Sequence, residues 1–492
     1  MKVITMYLPQ YHRVPENDEW WGEGFTDWEA VKSAIPLFDG HQQPKVPLDN
    51  NYYNLLEKDV ISHQADLMKQ YGVDGMCIYH YWFKDGRRIL EKPVENLLKW
   101  KDIDMPFCLC WANETWARSW SGVVGGNVWA DQFEKESKSD KSILLEQKYG
   151  LEADWKEHFN YINQFFVDDR YIKIDGKPLI LIYKCNAITR LEEMIALWRR
   201  LVRESGFPDL FVIGGDANLI PDEIIDGRLV KEPQSESGKI PVQKRNGVKT
   251  RNYDKVWESI LNIPDNDSKT YYSGFVNYDD TPRRGKSGYV AYGGTPLKFE
   301  RYLMRLMKKN YDNNKDITFV NAWNEWGEGM YLEPDEKNGY RYLESVNKAK
   351  TYFKNEQISS EFEGEDVNFP QISKDTIYLH SLHKWMRLRE RGIKIADYFT
   401  ENNYYNIAIY GYSMFAEHLI DEFKGENVNI KYIVDKEPVN SSLPLFGIHD
   451  EKPKVDAIVV CSFYYYREIY SELREACIDN IISIESIINE LC

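Results

Sequence analysis

The run Ile317-Thr-Phe-Val-Asn-Ala-Trp-Asn-Glu-Trp-Gly-Glu-Gly329 joins an apolar, β-branched stretch to a turn that carries two glutamates. A short continuous apolar run bounded by turn residues reads as a strand buried on both faces. Comparable runs precede it at residues 3–8, 76–81, 107–111, 179–183, 210–215, 228–231 and 272–276, which makes 317–322 the eighth. Segments of helical periodicity lie between most of them, at 55–71, 155–166, 191–204, 253–261 and 296–309, and 340–353 follows the last. The alternation predicts an α/β fold whose main part is a (β/α)8 TIM-like barrel. Residues 289–292 are a rival for a place in the strand count.

The barrel is expected over residues 1–355. Beyond it the chain turns polar and acidic through Asn355-Glu-Gln-Ile-Ser-Ser-Glu-Phe-Glu-Gly-Glu-Asp366, which has little to bury, and 356–374 reads as an acidic linker. From 375 to 492 the pattern changes to helix (376–391), strand (406–410), helix (415–423), strand (431–434) and strand (457–461), a smaller Rossmann-like α/β domain.

Glycosyl transfer through an oxocarbenium-like transition state generally needs two carboxyl groups, one acidic toward the leaving oxygen and one acting as nucleophile or base. Glu325 and Glu328 form such a pair. In an extended strand a separation of three points them to opposite sides, whereas in a helical turn their Cβ atoms come within about 5–6 Å. Carboxyl groups about 5–5.5 Å apart suit retention of anomeric configuration and wider gaps suit inversion. The pair follows the eighth strand, at the end of the barrel where active sites of this fold lie. The bland alternative is that two glutamates near a helix start merely favour the helix dipole.

Other strand ends carry aromatic and polar clusters that would converge on the same rim. These are Pro9-Gln-Tyr-His12 and Trp20-Trp-Gly-Glu-Gly-Phe-Thr-Asp-Trp28 after the first strand, Tyr79-His-Tyr-Trp-Phe83 at the second, and Trp111-Ala-Asn-Glu-Thr-Trp-Ala-Arg118 at the third. Candidate substrate-binding residues are therefore Tyr7, Gln10, Tyr11, His12, Asp27, Trp28, His80, Tyr81, Trp82, Trp111, Asn113, Glu114, Arg118, Asp279, Arg283, Asn324 and Trp326. Flat aromatic faces with polar tips suit sugar rings. Each has an ordinary structural alternative: core packing for a tryptophan, a satisfied histidine for His80, an Arg118 partner for Glu114, loop polarity for Asp279 and Arg283.

Composition narrows the substrate. A formal charge of -16 over 492 residues opposes a nucleic-acid or anionic-membrane partner, and a neutral glycan fits better. Fourteen of the 15 tryptophans precede residue 327, which places the carbohydrate expectation in the first part of the chain. The seven cysteines show no disulfide framework or metal-ligand spacing, so no metal is expected. The first residues read as a strand rather than a signal peptide, and no run approaches the roughly 20 apolar residues that span a bilayer. A cytoplasmic location is expected.

Together, Tyr7-Leu-Pro-Gln-Tyr-His12, Gly24-Phe-Thr-Asp-Trp28, Trp111-Ala-Asn-Glu114, Trp323-Asn-Glu-Trp-Gly-Glu-Gly329 and Leu332-Glu-Pro-Asp335 resemble the WbsX-type proteins of bacterial surface-polysaccharide loci. These are similar to glycoside hydrolase family 99, the endo-α-mannosidases. The resemblance covers roughly residues 1–355 and implies a barrel and a retaining, metal-free mechanism. By motif, Glu325 would deprotonate the sugar 2-hydroxyl, whose oxygen attacks the anomeric carbon to give a 1,2-anhydro intermediate. Glu328 would protonate the leaving oxygen and then activate the acceptor. Gly327 departs from the histidine common at that place in the hydrolases.

The resemblance makes glycosyl transfer in lipopolysaccharide or capsule synthesis the expected function. The alternatives are an endo-acting retaining hydrolase and a non-catalytic glycan-binding protein. No cofactor is required for either chemistry. In the C-terminal domain, Gly411-Tyr-Ser-Met-Phe-Ala416 lies between strand and helix, and Asp435 ends the next strand 24 residues after Gly411. That arrangement is that of a dinucleotide site with only one glycine of the usual pattern left and Ser413 in place of the second. Gly411 and Asp435 are the candidate nucleotide or nucleotide-sugar contacts, and docking to polysaccharide-assembly proteins is the alternative role.

Overall fold

Strands that must bury both faces have no polar side to present, which is why the run Phe107–Trp111, apolar at every position, is buried throughout. The computed structural model describes residues 1–117, 143–265, 268–362, 374–436, 441–462, 466–476 and 480–491. The chain divides into two compact units, Met1–Gly364 and Glu365–Cys492.

The first unit is a nearly closed parallel barrel. Its strands are β1 (Lys2–Tyr7), β2 (Gly75–Trp82), β3 (Phe107–Trp111), β4 (Lys177–Ile182), β5 (Phe211–Gly215), β6 (Gly227–Val230), β7 in two pieces (Thr270–Tyr272 and Gly274–Phe275) and β8 (Ile317–Asn321). The nine segments run in sheet order from the first piece of β7 through β6, β5, β4, β3, β2, β1 and β8 to the second piece of β7. Only Ser273 separates the two ends, so the ring returns to its starting strand across one residue. The Ser273 hydroxyl donates to the Val230 carbonyl at 2.6 Å and accepts from the Glu232 amide at 3.1 Å.

Helices Lys58–Gln70, Lys92–Lys99, Glu152–Phe166, Leu191–Glu204, Tyr253–Leu261 and Pro296–Asp312 fall between barrel strands, and Arg341–Phe362 follows β8. That last helix extends into the stretch read from sequence as linker. The segment Tyr289–Tyr292 is a strand, but not of the barrel: it pairs with Val248–Asn252 in a small separate sheet. The weakly apolar run at Gly227–Val230 takes the sixth place because its backbone continues the ladder between β5 and β7.

Among its described residues the second unit has five parallel strands, β9 (Asn406–Tyr410), β10 (Asn429–Val434), β11 (Leu445–Phe446), β12 (Ala457–Val460) and β13 (Ile481–Ser483), in the order β11-β10-β9-β12-β13. Alternate residues of β9 feed two cores. Ile407 and Ile409 pack with Phe399, Phe415 and Ile487, whereas Ala408 and Tyr410 pack with Ile469 and Leu473. No helix among the described residues is long and apolar enough to cross a membrane.

Candidate active site

Side chains alternate along a strand, so at each strand end one parity faces the barrel axis and the other faces the helices. Met6, Leu8 and Gln10 at the end of β1, Tyr79 and Tyr81 of β2, Lys231 after β6, and Phe319 and Asn321 of β8 line one cavity of about 430 Å³. Asp27, Glu114, Tyr183, Tyr278, Arg283, Glu325 and Glu328 complete its polar wall, and Trp21, Phe25 and Trp116 add aromatic faces.

The two glutamates meet through a tight hairpin. Asn324–Glu325 pairs antiparallel with Met330–Tyr331, Trp326–Glu328 makes one 3-10 turn, and Gly329 closes it in the left-handed region at φ 62°. The hairpin is fixed on all sides. Asn324 accepts from the Leu8 amide at 2.8 Å and donates to the Leu8 carbonyl at 3.0 Å, tying it to the end of β1. The Trp326 amide donates to the Tyr11 hydroxyl at 3.0 Å, and the Trp326 indole N–H donates to Glu333 at 2.7 Å. The Asp279 amide donates to the Glu328 carbonyl at 2.6 Å.

Electrostatics at the pair centre on Arg283. Its Nη2 donates to Glu325 Oε1 at 2.9 Å, its Nη1 donates to Glu328 Oε1 at 3.1 Å, and Asp27 Oδ2 lies 3.6 Å away. Burial raises the Glu325 carboxyl above the ordinary range, Arg283 works against that rise, and Glu328 and Asp27 add to it. Asp27 is likewise raised, chiefly by burial. For Arg283 burial disfavours the charge, yet Glu325, Asp27 and Glu328 together hold the guanidinium firmly protonated. Lys231 is lowered by burial and sits 3.1 Å from Asp216.

Of the residues singled out from sequence, Gln10, Asp27, Tyr81, Glu114, Arg283, Glu325 and Glu328 come together at this cavity. Others face away for reasons of strand parity. Tyr7 turns to Gln64, donating at 2.6 Å. His80 lies 2.9 Å from His158, and the Trp82 ring stacks on His158. Burial lowers His80 to about 3 and His12 to about 4, so both are neutral imidazoles. Trp111 donates its indole N–H to the Trp82 carbonyl.

A further group supports the site without lining it. Tyr11, Trp28 and Trp326 form an aromatic cluster behind the pair, with Tyr11 and Trp28 centroids 4.3 Å apart. Asn113 ties the Lys184 backbone to the end of β3. Asp279 is buried and saturated by His41, Gln43 and Thr281 rather than free to hold a sugar hydroxyl. Glu114 is ion-paired with Lys184. Arg118 lies outside the described residues.

Tyr183, Lys231, Tyr278 and Asn321 belong to the cavity and were not among the expected contacts. The inward register at strand ends was the signal available for Tyr183, Lys231 and Asn321. In the second unit Gly411 has φ 82°, and the Tyr412 amide beside it donates to Asp435 at 2.8 Å.

The family described as glycosyltransferase WbsX has a model that matches residues 3–346. The uncharacterized protein WxcX of Xanthomonas campestris pv. campestris is 30% identical over 361 residues, covering 71% of this chain and 49% of that protein. The chain thus spans about half the length of the curated relatives it matches. Among solved structures, the family 99 endo-α-mannosidase from Bacteroides thetaiotaomicron aligns over 72% of this chain and 98% of its own, at 15% identity and a TM-score of 0.43. A glycoside hydrolase-like protein aligns over 71% and 93%, at 12% identity and a TM-score of 0.42.

Proposed function

The chain belongs to the glycosyltransferase WbsX family, and we propose that it transfers a glycosyl group during assembly of a bacterial surface polysaccharide, in the cytoplasm, with retention of configuration. The observation that carries this reading is the convergence of Glu325 and Glu328 on one cavity wall at the strand-end face, spanned by a single guanidinium. Glu325, the more buried of the two, takes the proton of the sugar 2-hydroxyl so that this oxygen attacks the anomeric carbon. Glu328, the more exposed, protonates the leaving oxygen and then draws the proton from the acceptor. Tyr81, Tyr183 and the tryptophan faces bind the sugar, with Gln10 and Asn321 on the same cavity wall.

For the second unit we propose a Rossmann-like sheet that offers a nucleotide sugar a place beside Gly411. Calorimetric titration with nucleotide sugars tests it, and the absence of heat with every donor would leave a docking role. For the barrel, the purified chain is incubated with glycans and candidate donors and the products are analysed. Elongated products that depend on a donor support the transferase. Free reducing ends formed without a donor would replace it with an endo-acting hydrolase using the same pair. Glu325→Gln and Glu328→Gln are each expected to lower the rate by about 10²–10⁴-fold. Unchanged rates in both would remove the pair from the chemistry.

A further inference from the structure

Arg283 differs from the other cations of the cavity in touching both glutamates. Helix Thr281–Arg284 delivers it from the loop after β7, and its two terminal nitrogens divide between Glu325 and Glu328. The space it fills has a specific origin. A Cβ at position 327 would stand 2.6 Å from Arg283 Nε, 2.8 Å from Cζ and 2.9 Å from Nη2, closer than real contacts allow. Gly327 is not among the glycines with positive φ, so its backbone is one that alanine adopts freely. Glycine at 327 leaves room for the guanidinium where it stands, and a side chain there would make Arg283 shift.

We propose that Arg283 and Gly327 act as one unit: the guanidinium, seated over the bare Cα of Gly327, positions the two carboxyl groups at a fixed separation and favours the anion of Glu325 for proton abstraction. The proposal rests on the role given to the pair above. The charged groups facing Glu325 are Arg283 from the β7 loop, Glu328 from its own hairpin and Asp27 from helix Asp27–Ser33, with the hydroxyls of Tyr11 and Tyr81 nearby. Asp27 and Glu328 both oppose a negative charge on Glu325, and Arg283 opposes their effect. Lysine would replace it only in part, because an ammonium is a point charge on one nitrogen, without the two terminal nitrogens that a planar fork sets against two separate carboxyl groups.

The test is direct titration of Glu325 in the full chain, labelled with ¹³C at glutamate carboxyls and assigned by loss of its signal in Glu325→Gln. Arg283→Gln is expected to move the Glu325 midpoint up by about 1–3 pH units, the usual effect of a neighbouring opposite charge. Gly327→Ala should move it in the same direction, because its methyl displaces the guanidinium, and the double variant should move it no further than Arg283→Gln alone. Arg283→Lys should fall between. An unmoved midpoint in Arg283→Gln, or additive shifts in the double variant, would overturn the proposal. Thermal unfolding reports whether each variant folds, and Gly327→Ala with Arg283→Lys decides the matter if Arg283→Gln does not. The titration needs no substrate, so its failure is separable from failure of the catalytic reading, which shows as activity surviving in Glu325→Gln.

Discussion

Burial favours the neutral acid at Glu325, while a base must be ionised to take a proton. The ionised fraction grows as pH rises through the raised value. A rate limited by this group is therefore expected to climb with pH, with its midpoint above the ordinary glutamate value of about 4.3. The pH profile of kcat/KM checks this, and a midpoint at or below the ordinary value would contradict the assignment of Glu325 as base. Behind the pair, Glu333 accepts from Tyr53 at 2.8 Å, Trp326 at 2.7 Å and Gln64 at 2.7 Å. Glu333→Ala strands three buried donors, and a loss of at least about 1–3 kcal/mol in urea unfolding is expected.

Among elements, the hairpin that carries the pair depends on Gly329. At φ 62°, with the Asp279 Cβ 3.1 Å from where a methyl would be, Gly329→Ala is expected to cost about 1–2 kcal/mol and to displace Glu328. Denaturant unfolding together with activity measures both effects. The connection after β6 holds a titration of its own. Burial pushes the Glu232 carboxyl up to about 8, against the Ser235 hydroxyl and the Glu236 amide, which favour the anion. In the unfolded chain the group titrates near 4.5, so its stabilising contribution is full below that pH and is lost as pH rises through about 8. Glu232→Gln should lose less stability than the parent between about pH 5 and about pH 9 in urea unfolding. Most barrel strands were legible because burial on both faces leaves an unbroken apolar run, with the weakly apolar β6 the exception. The separate sheet at Val248–Asn252 and Tyr289–Tyr292 was not, because its strands carry the same kinds of residue without the barrel's position. Of the residues expected at the site, the glutamates and Arg283 line the cavity, whereas Tyr7, His80 and Trp82 do not. A motif lists consecutive residues and does not state which parity looks inward.

For the molecule as a whole, each unit has its own apolar core, with Trp323, Phe319 and Val320 in the first and Phe399, Phe415 and Ile487 in the second. Residues 1–364 expressed alone are expected to unfold cooperatively, as followed by circular dichroism; a non-cooperative melt would show that the barrel needs the rest of the chain. The break at Ser273 carries a different consequence. The first piece of β7 is laddered to β6 over three residues and the second to β8 over two, and at Ser273 between them a side-chain hydroxyl stands in for backbone in bonding Val230 and Glu232. Local opening begins where the fewest hydrogen bonds must break together, so amides flanking Ser273 should exchange with deuterium before those of β1, β2 and β3. The loop bearing Arg283 follows that seam, so the part of the barrel expected to open first is the part that holds the charge between the two glutamates.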